Sequence, residues 1–328
     1  MRFLSKKELN FSGLTKLLSF LFSGALLKYV NPQSILFSDV NPYLCKQQNA
    51  KLPYRRLIRH VILSYCIKIM KISFEKYHGA GNDFIIIDNR SRNITLNGEQ
   101  IRNLCHRHYG IGGDGLIELC SEESADFYMH YYNADGNEGT MCGNGGRCIA
   151  AFALQNNIAG KEQVFKASDG YHRARIIDTG YPMNIRLEMN DVDEITEGDD
   201  HYFIDTGSPH YVKFQEKIDE VSFLHEAKTI RHHYREGGTN VNFAVLHPDN
   251  IALRTFERGV ENETLACGTG ITATALAAAW RDNMQEGSIN VKALGGVLKV
   301  HFTREKGAFR NIWLEGPAVF VFKGEFQI

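Results

Sequence analysis

After residue 70 the chain switches repeatedly between short apolar runs of strand length and longer stretches with helical spacing. Asp83–Asp88 (DFIIID) is a continuous β-branched run and predicts a buried strand. Gly98–His106 places Ile101, Leu104 and Cys105 on one side and predicts a short amphipathic helix. Leu116–Cys120 and Asp126–Tyr132 alternate as strands do. A helix is expected after Cys142, running to about Asn156, followed by strands at His172–Ile177 and Asn184–Met189. The polar, acidic stretch Asn190–Asp200 is the natural boundary between two lobes. Beyond it the plan recurs, with strands at Tyr202–Asp205 and Tyr211–Phe214 and a helix around Val221–His232. Strands at Val241–Leu246 and Ala252–Glu257 and an Ala-rich helix from Cys267 to near Asp282 come next. Ile289–Val291, Val297–Thr303, Ile312–Leu314 and Ala318–Phe322 close the chain as strands.

Residues 1–69 do not share this pattern. They hold two apolar runs, Leu17–Leu27 and Leu57–Ile69, flanked by Lys16, Lys28, Arg55, Arg56 and Arg59. The first is too short to span a bilayer, which takes about 20 apolar residues, and no small-x-small cleavage site follows it. The expectation is a dispensable N-terminal extension with Met70 as the functional start, a targeting or membrane-associating segment being the competing reading.

Composition narrows the function classes. A chain of 328 residues has room for two lobes, and its 43% hydrophobic and 23% charged content is that of a globular protein. With 37 basic and 38 acidic side chains it has no basic footprint for nucleic acid. Seven scattered cysteines, without CxxC or CxxxH pairs, argue against a disulfide framework and a structural zinc site. They fit a reducing cytoplasm. No strand–GxGxxG–helix unit signals a dinucleotide.

The chain also carries an internal repeat. Asn137–Gly145 and Asn262–Gly270 both read N-E-x-x-x-C-G-x-G, which puts Cys142 and Cys267 at equivalent positions 125 residues apart. His108-Tyr109…Gly112-Gly113 matches His233-Tyr234…Gly237-Gly238 at the same offset, and Gly81-Asn82 matches Gly207-Ser208 at 126. Several matches in one register indicate a duplicated lobe rather than a solenoid. Two lobes related by a pseudo-twofold axis would present the two thiols from opposite sides of a bound molecule. Each precedes a helix, whose N-terminal N–H groups and dipole favour a thiolate and lower its pKa. The glycines let a ligand carboxylate approach the backbone. A thiolate on one face of a carbon and a thiol on the other can invert that centre by removing and returning a proton. Backbone donors would stabilise the charge that develops.

At these residues the chain resembles the diaminopimelate epimerase family of pyridoxal-phosphate-independent amino-acid racemases. The resemblance runs from about Met70 to the C-terminus. It rests on Tyr77–Phe84 (YHGAGNDF), on Asn133-Ala134-Asp135-Gly136 leading to Cys142-Gly143-Asn144-Gly145, and on Glu257-Arg258-Gly259 leading to Ala266-Cys267-Gly268-Thr269-Gly270. It implies an α+β fold of two pseudo-symmetric lobes, each a curved, mostly antiparallel sheet around a central helix, with the active site in the cleft between them. The lobes would be residues 70–190 and 191–313, with 314–328 returning to the first. It implies interconversion of LL- and meso-diaminopimelate, in lysine and peptidoglycan precursor synthesis, with Cys142 and Cys267 as the acid–base pair and neither cofactor nor metal. Gly143, Asn144, Gly268 and Thr269 would cradle the reacting carboxylate, and Asn82, Asn133, Asn240, Glu257 and Arg258 would hold the rest of the substrate. His210 either orients the second wall of the site or is simply a turn histidine. The expected partner is the small-molecule substrate, with no nucleic acid and no membrane. A homodimer is compatible with the reading, although the sequence leaves the oligomeric state open.

The chain also departs from the family pattern. Ser208 stands where Asn is usual, Gly115 where Gln is frequent, and the loop 259–264 is one residue longer. The lost amides leave gaps for water or neighbouring residues to fill. Two other readings compete: a two-thiol racemase acting on proline or hydroxyproline, and a thiol-switch protein whose working state is a Cys142–Cys267 disulfide. Cys105, Cys120 and Cys148 read as buried packing residues.

Overall fold

The computed structural model describes residues 70–328, so the expectation for the N-terminal extension lies outside the described residues. The first half runs β1 (Lys71–Gly79), β2 (Asn82–Asp88), α1 (Gly98–Cys105), β3 (Gly115–Cys120), β4 (Phe127–Asn133), α2 (Gly143–Gln155), β5 (Glu162–Ala167), β6 (Gly170–Asp178) and β7 (Met183–Glu188). After β8 (Ile195–Glu197) comes the second half: β9 (Tyr202–Asp205), β10 (Pro209–Phe214), α3 (Glu220–His233), β11 (Asn240–Leu246), β12 (Ile251–Glu257), β13 (Asn262–Thr264), α4 (Gly268–Arg281), β14 (Glu286–Ala293), β15 (Gly296–Glu305) and β16 (Ala308–Gln327). The two halves follow one plan. β2–β3 and β10–β11 are parallel pairs joined through α1 and α3, and β4–β5 and β12–β14 are parallel pairs joined through α2 and α4. The other strand pairs are antiparallel. The α+β, two-lobed class expected from the sequence is the one observed.

Each lobe wraps its strands around one buried helix. In α2 every residue from Asn144 to Ala153 is buried, and in α4 the same holds from Gly270 to Ala279. Small residues make this fit. A methyl on Gly145 would meet Ile117 and Met129 at 3.2 Å, and one on Gly146 would meet Leu187 at 3.1 Å. Glycine is a poor helix former, so here the close approach of the sheet overrides propensity. Both helices end alike, with Asn157 and Asn283 in the left-handed region at φ 54° and 52°. Ile158 N–H returns to Ala153 and Met284 N–H to Ala279, the 6→1 bond that closes a helix C-terminus.

β16 joins the lobes. It pairs with β15 up to Glu315, with β7 from Trp313 to Ala318, and with β1 from Val319 to Gln327. The pattern had suggested two strands here, split at Gly316-Pro317. The strand continues instead, because Pro317 falls between the last β15 pair and the first β1 pair, where a missing N–H costs little. Glu315 accepts hydrogen bonds from Arg186 at 2.7 Å and Asn184 at 2.6 Å on β7, and pairs with His301 of β15 at 2.8 Å. At the end of β16, Ile328 and Met70 exchange both backbone hydrogen bonds, at 3.2 and 3.3 Å.

Candidate active site

Cys142 and Cys267 are the N-cap residues of α2 and α4. Their backbones are extended, and neither side chain caps its own helix. Duplication brings the two helix starts together: a Cβ built on Gly268 would lie 3.6 Å from the Gly143 Cα. A Cβ on Gly143 would likewise lie 3.8 Å from the Gly268 Cα, so the two backbones stand in ordinary contact distance of a methyl at either position, while Leu314 at 3.1 Å crowds Gly268. The first-turn N–H groups of both helices lack intrahelical partners and, with the two dipoles, converge on one place. Such a place suits an anion approached by both backbones.

Around Cys142 the partners are fixed. Its Sγ lies 3.5 Å from Asn82 Oδ1, which also accepts from Asn144 Nδ2 at 3.2 Å. Asn82 is turned this way because its Nδ2 donates to Asp114 Oδ2 at 2.7 Å. Asp114 in turn is paired with Arg107 at 2.5 Å, and Arg107 and Lys76 both pair with Asp83 at 2.8 Å. Asn144 bridges the lobes by donating to the Ala266 carbonyl at 2.9 Å. Arg147, fully buried, donates to Asn144 Oδ1 at 2.7 Å and to the Gly143 carbonyl at 3.1 Å.

Around Cys267 the groups differ. Its sulfur lies 3.4 Å from Thr269 Oγ1, which is 3.2 Å from Ser208 Oγ. Ser208 in turn meets His210 Nε2 at 3.0 Å, and His210 Nδ1 meets Asn242 Nδ2 at 3.0 Å. Burial, helped by the Arg258 charge, pulls the His210 pKa down to about 3, so the ring is neutral. Asn240 ties this wall together, accepting from the Arg258 N–H at 2.8 Å and donating to the Pro209 carbonyl at 3.0 Å. The Glu257 carboxylate sits where its charge reaches both thiols. Burial pushes the pKa of Glu257 up, while the Thr264 hydroxyl and Cys267 thiol pull it down.

One expectation needs correction. The helix starts were expected to lower the thiol pKa values, yet both are raised. Burial is the first cause in each, and the Glu257 charge adds to it. The N–H groups of Asn144 and Gly145 at Cys142, and of Gly270 at Cys267, act in the expected direction but are outweighed. Cys105 and Cys120 are likewise buried and pushed up to about 11, and burial raises Cys148 too.

The remaining sequence-derived residues are placed less centrally. The side chain of Arg258 is exposed, its Nη1 3.4 Å from the Gly237 carbonyl. Asn133 ends β4, exposed, and pairs across the ladder with Gly115. The gap left by an amide at Gly115 is filled by the Tyr131 ring: a Cβ built on Gly115 would fall 2.5 Å from Tyr131 Cε2. Tyr131 is close enough to Cys142 and Glu257 for their charges to act on it. Tyr131, Asp114, Arg147, Asn242 and Thr255 are site residues that sequence reasoning missed. Among the described residues no cluster of His, Cys, Asp and Glu could hold a metal ion, and no helix is long and apolar enough to cross a membrane.

The family model for diaminopimelate epimerase matches residues 74–191 and 202–321, which includes both cysteine turns. The chain belongs to the diaminopimelate epimerase family. It is 46% identical over 252 residues to a diaminopimelate epimerase of Flavobacterium psychrophilum, covering 76% of this chain and 97% of that one. It is 44% identical over 261 residues to that of Chlorobaculum tepidum, covering 76% and 99%. Among solved structures, a PhzF-family phenazine biosynthesis protein of Bacillus anthracis superposes with a TM-score of 0.61 at 16% identity. It matches 79% of this chain and all of that one. A hydroxyproline epimerase from Agrobacterium vitis gives 0.60 at 12% identity, over 79% and 93%. At such identities the structural likeness speaks for the fold alone.

Proposed function

We propose that this protein converts LL-diaminopimelate to meso-diaminopimelate by proton transfer at Cα between two thiols, without a cofactor. The observation that carries the reading is the convergence of Cys142 and Cys267 at two abutting helix starts, in a chain of this family. One sulfur, as thiolate, takes the Cα proton, and the thiol on the opposite face returns one. The negative charge that builds on the substrate carboxylate meets the first-turn N–H groups of α2 and α4, with the buried Arg147 guanidinium behind them. Burial is the main cause that raises both thiols, so the positive charge of a substrate α-ammonium beside them would favour the thiolate. Arg258, which follows β12, and Asn133, the last residue of β4, are both exposed and would hold the distal amino-acid group.

The test is Cα hydrogen exchange in deuterated water with purified protein, comparing LL-diaminopimelate with proline. Exchange with LL-diaminopimelate and conversion to the meso form are expected. Exchange with proline alone would overturn the substrate assignment.

A further inference from the structure

We propose that Tyr131 is a substrate-binding residue, its hydroxyl oxygen accepting a hydrogen bond from the distal ammonium of diaminopimelate in the space that an amide side chain in place of Gly115 would take. Resting on the function proposed above, this contact fixes the end of the substrate that does not react.

The alternation of β4 brings the ring to the site. Phe127, Met129, Tyr131 and Asn133 share one face of the strand, because successive side chains point to opposite sides. That face packs on α2: Met129 and, from β3, Ile117 both lie 3.2 Å from a Cβ built on Gly145. Phe127 and Met129 are in the core, and Asn133, the last residue of the strand, is exposed. Tyr131 stands between them, half-buried, where the face passes from the core to the cleft. Across the β3–β4 ladder Tyr131 lies opposite Ile117, and Asn133 lies opposite Gly115. With no side chain on Gly115 the ring leans diagonally into that place, and its hydroxyl oxygen ends 3.1 Å from a Cβ built there. The Asn133 amide is beside it: a Cβ built on Gly139 would fall 2.8 Å from the Tyr131 ring and 3.0 Å from Asn133 Nδ2.

The ring is gripped, but its hydroxyl is idle. A tyrosine oxygen in packed surroundings usually finds a partner. Among the described residues the Tyr131 hydroxyl makes no hydrogen bond, and it is not one of the sealed polar atoms. It is therefore open to a ligand. The charges that act on it most strongly are those of Cys142, Asp114, Cys105 and Glu257, all acidic groups. Burial and these charges hold the phenol in its neutral form, with oxygen lone pairs to offer. An acceptor surrounded by acids suits a cation. Diaminopimelate carries two ammonium groups; one belongs with the reacting carbon and the thiols, and the neighbouring Asn133 assigns the distal one to Tyr131. An amide in place of Gly115 would offer a carbonyl oxygen in the same space, so the ring supplies the acceptor that glycine lacks.

Tyr131→Phe deletes one oxygen and keeps the ring, so the urea midpoint should not move. KM for LL-diaminopimelate should rise about tenfold or more with kcat within about threefold, the pattern of lost binding rather than lost chemistry. As a competitive inhibitor, α-aminopimelate, which lacks the distal ammonium, should bind parent and variant alike. Tyr131→Leu should show the same rise in KM, and Gly115→Gln added to it should recover most of the loss by returning an amide to the emptied space. A Tyr131→Phe protein with the parent's KM, a fall in kcat at unchanged KM, or an equal loss toward α-aminopimelate would overturn the proposal. A parent protein that neither binds nor epimerises diaminopimelate would overturn the function above and this contact with it. A parent that turns over, with Tyr131→Phe indistinguishable from it, overturns the contact alone.

Discussion

Adding one methyl group at Gly115 tests how tightly the wall behind Cys142 is packed. The built Cβ lies 2.5 Å from Tyr131 Cε2 and 2.5 Å from the Tyr132 carbonyl oxygen, against about 3.5–4.0 Å for carbons in ordinary contact. The ring has little room to retreat: a Cβ on Gly139 would fall 2.8 Å from its far side, and Phe84 packs edge-on at 6.0 Å. Overpacking of this kind costs about 1–3 kcal/mol, and the backbone contact pushes the expected value to the upper part of that range. Gly115→Ala should therefore lower the urea midpoint by an amount equivalent to about 2–3 kcal/mol with an unchanged slope. Tyr131→Leu should relieve the ring clash but not the one with the Tyr132 carbonyl. In a double-mutant cycle, the pair should then be less destabilised than the sum of the singles by about 1 kcal/mol or more. A Gly115→Ala protein as stable as the parent, or strictly additive singles, would refute the idea that Tyr131 occupies the space of the missing amide. A glutamine at this position would have to evict the ring.

Other expectations follow from the same structure. Cys142→Ser and Cys267→Ser should each lower kcat for epimerisation by about 10²–10⁴-fold while substrate binding, measured by calorimetry, changes little. Mild oxidation should join the two free thiols in a bridge and abolish turnover, with reductant restoring it; full activity of the bridged protein, seen by non-reducing peptide mapping, would contradict the two-thiol scheme. Glu315 has its pKa depressed to about 2, because the hydrogen bonds from Arg186, His301 and Asn184 outweigh its burial. A depressed carboxylate contributes stability above its unfolded value near 4.5 and loses it as pH falls toward 2. Glu315→Gln should remove roughly 3 kcal/mol at neutral pH and flatten the acid limb of the stability–pH curve in that window.

What the sequence revealed was whatever is local or repeated. The helices after Cys142 and Cys267 could be read from spacing, and their equivalence from one register of matches. The residues that orient the cysteines could not be read, because pairing brings them in. Asn242 meets His210 only because β11 lies parallel to β10, and meets Thr255 only because those two residues are opposite each other in the β11–β12 ladder. Nothing local marks Arg147, because only the packing of α2, buried all round from Asn144 to Ala153, puts that guanidinium beneath the first turn. β5 was overlooked because Glu162, Lys166 and the single apolar pair Val164-Phe165 make a weak pattern, and its place is set by β6. Ser208 was noticed as a loss. In the structure its hydroxyl joins His210 to Thr269.

The mutual hydrogen bonds between Met70 and Ile328 set the first and last of the described residues side by side and close them into a ring. In such a ring the point at which the polypeptide is cut is a matter of convenience. A short linker from residue 328 to residue 70, with new termini opened at the exposed Asp199, would keep every strand pair and both cysteine turns. The order in which the lobes leave the ribosome would be reversed while the catalytic geometry stayed the same, so folding sequence and function could be varied independently in this chain.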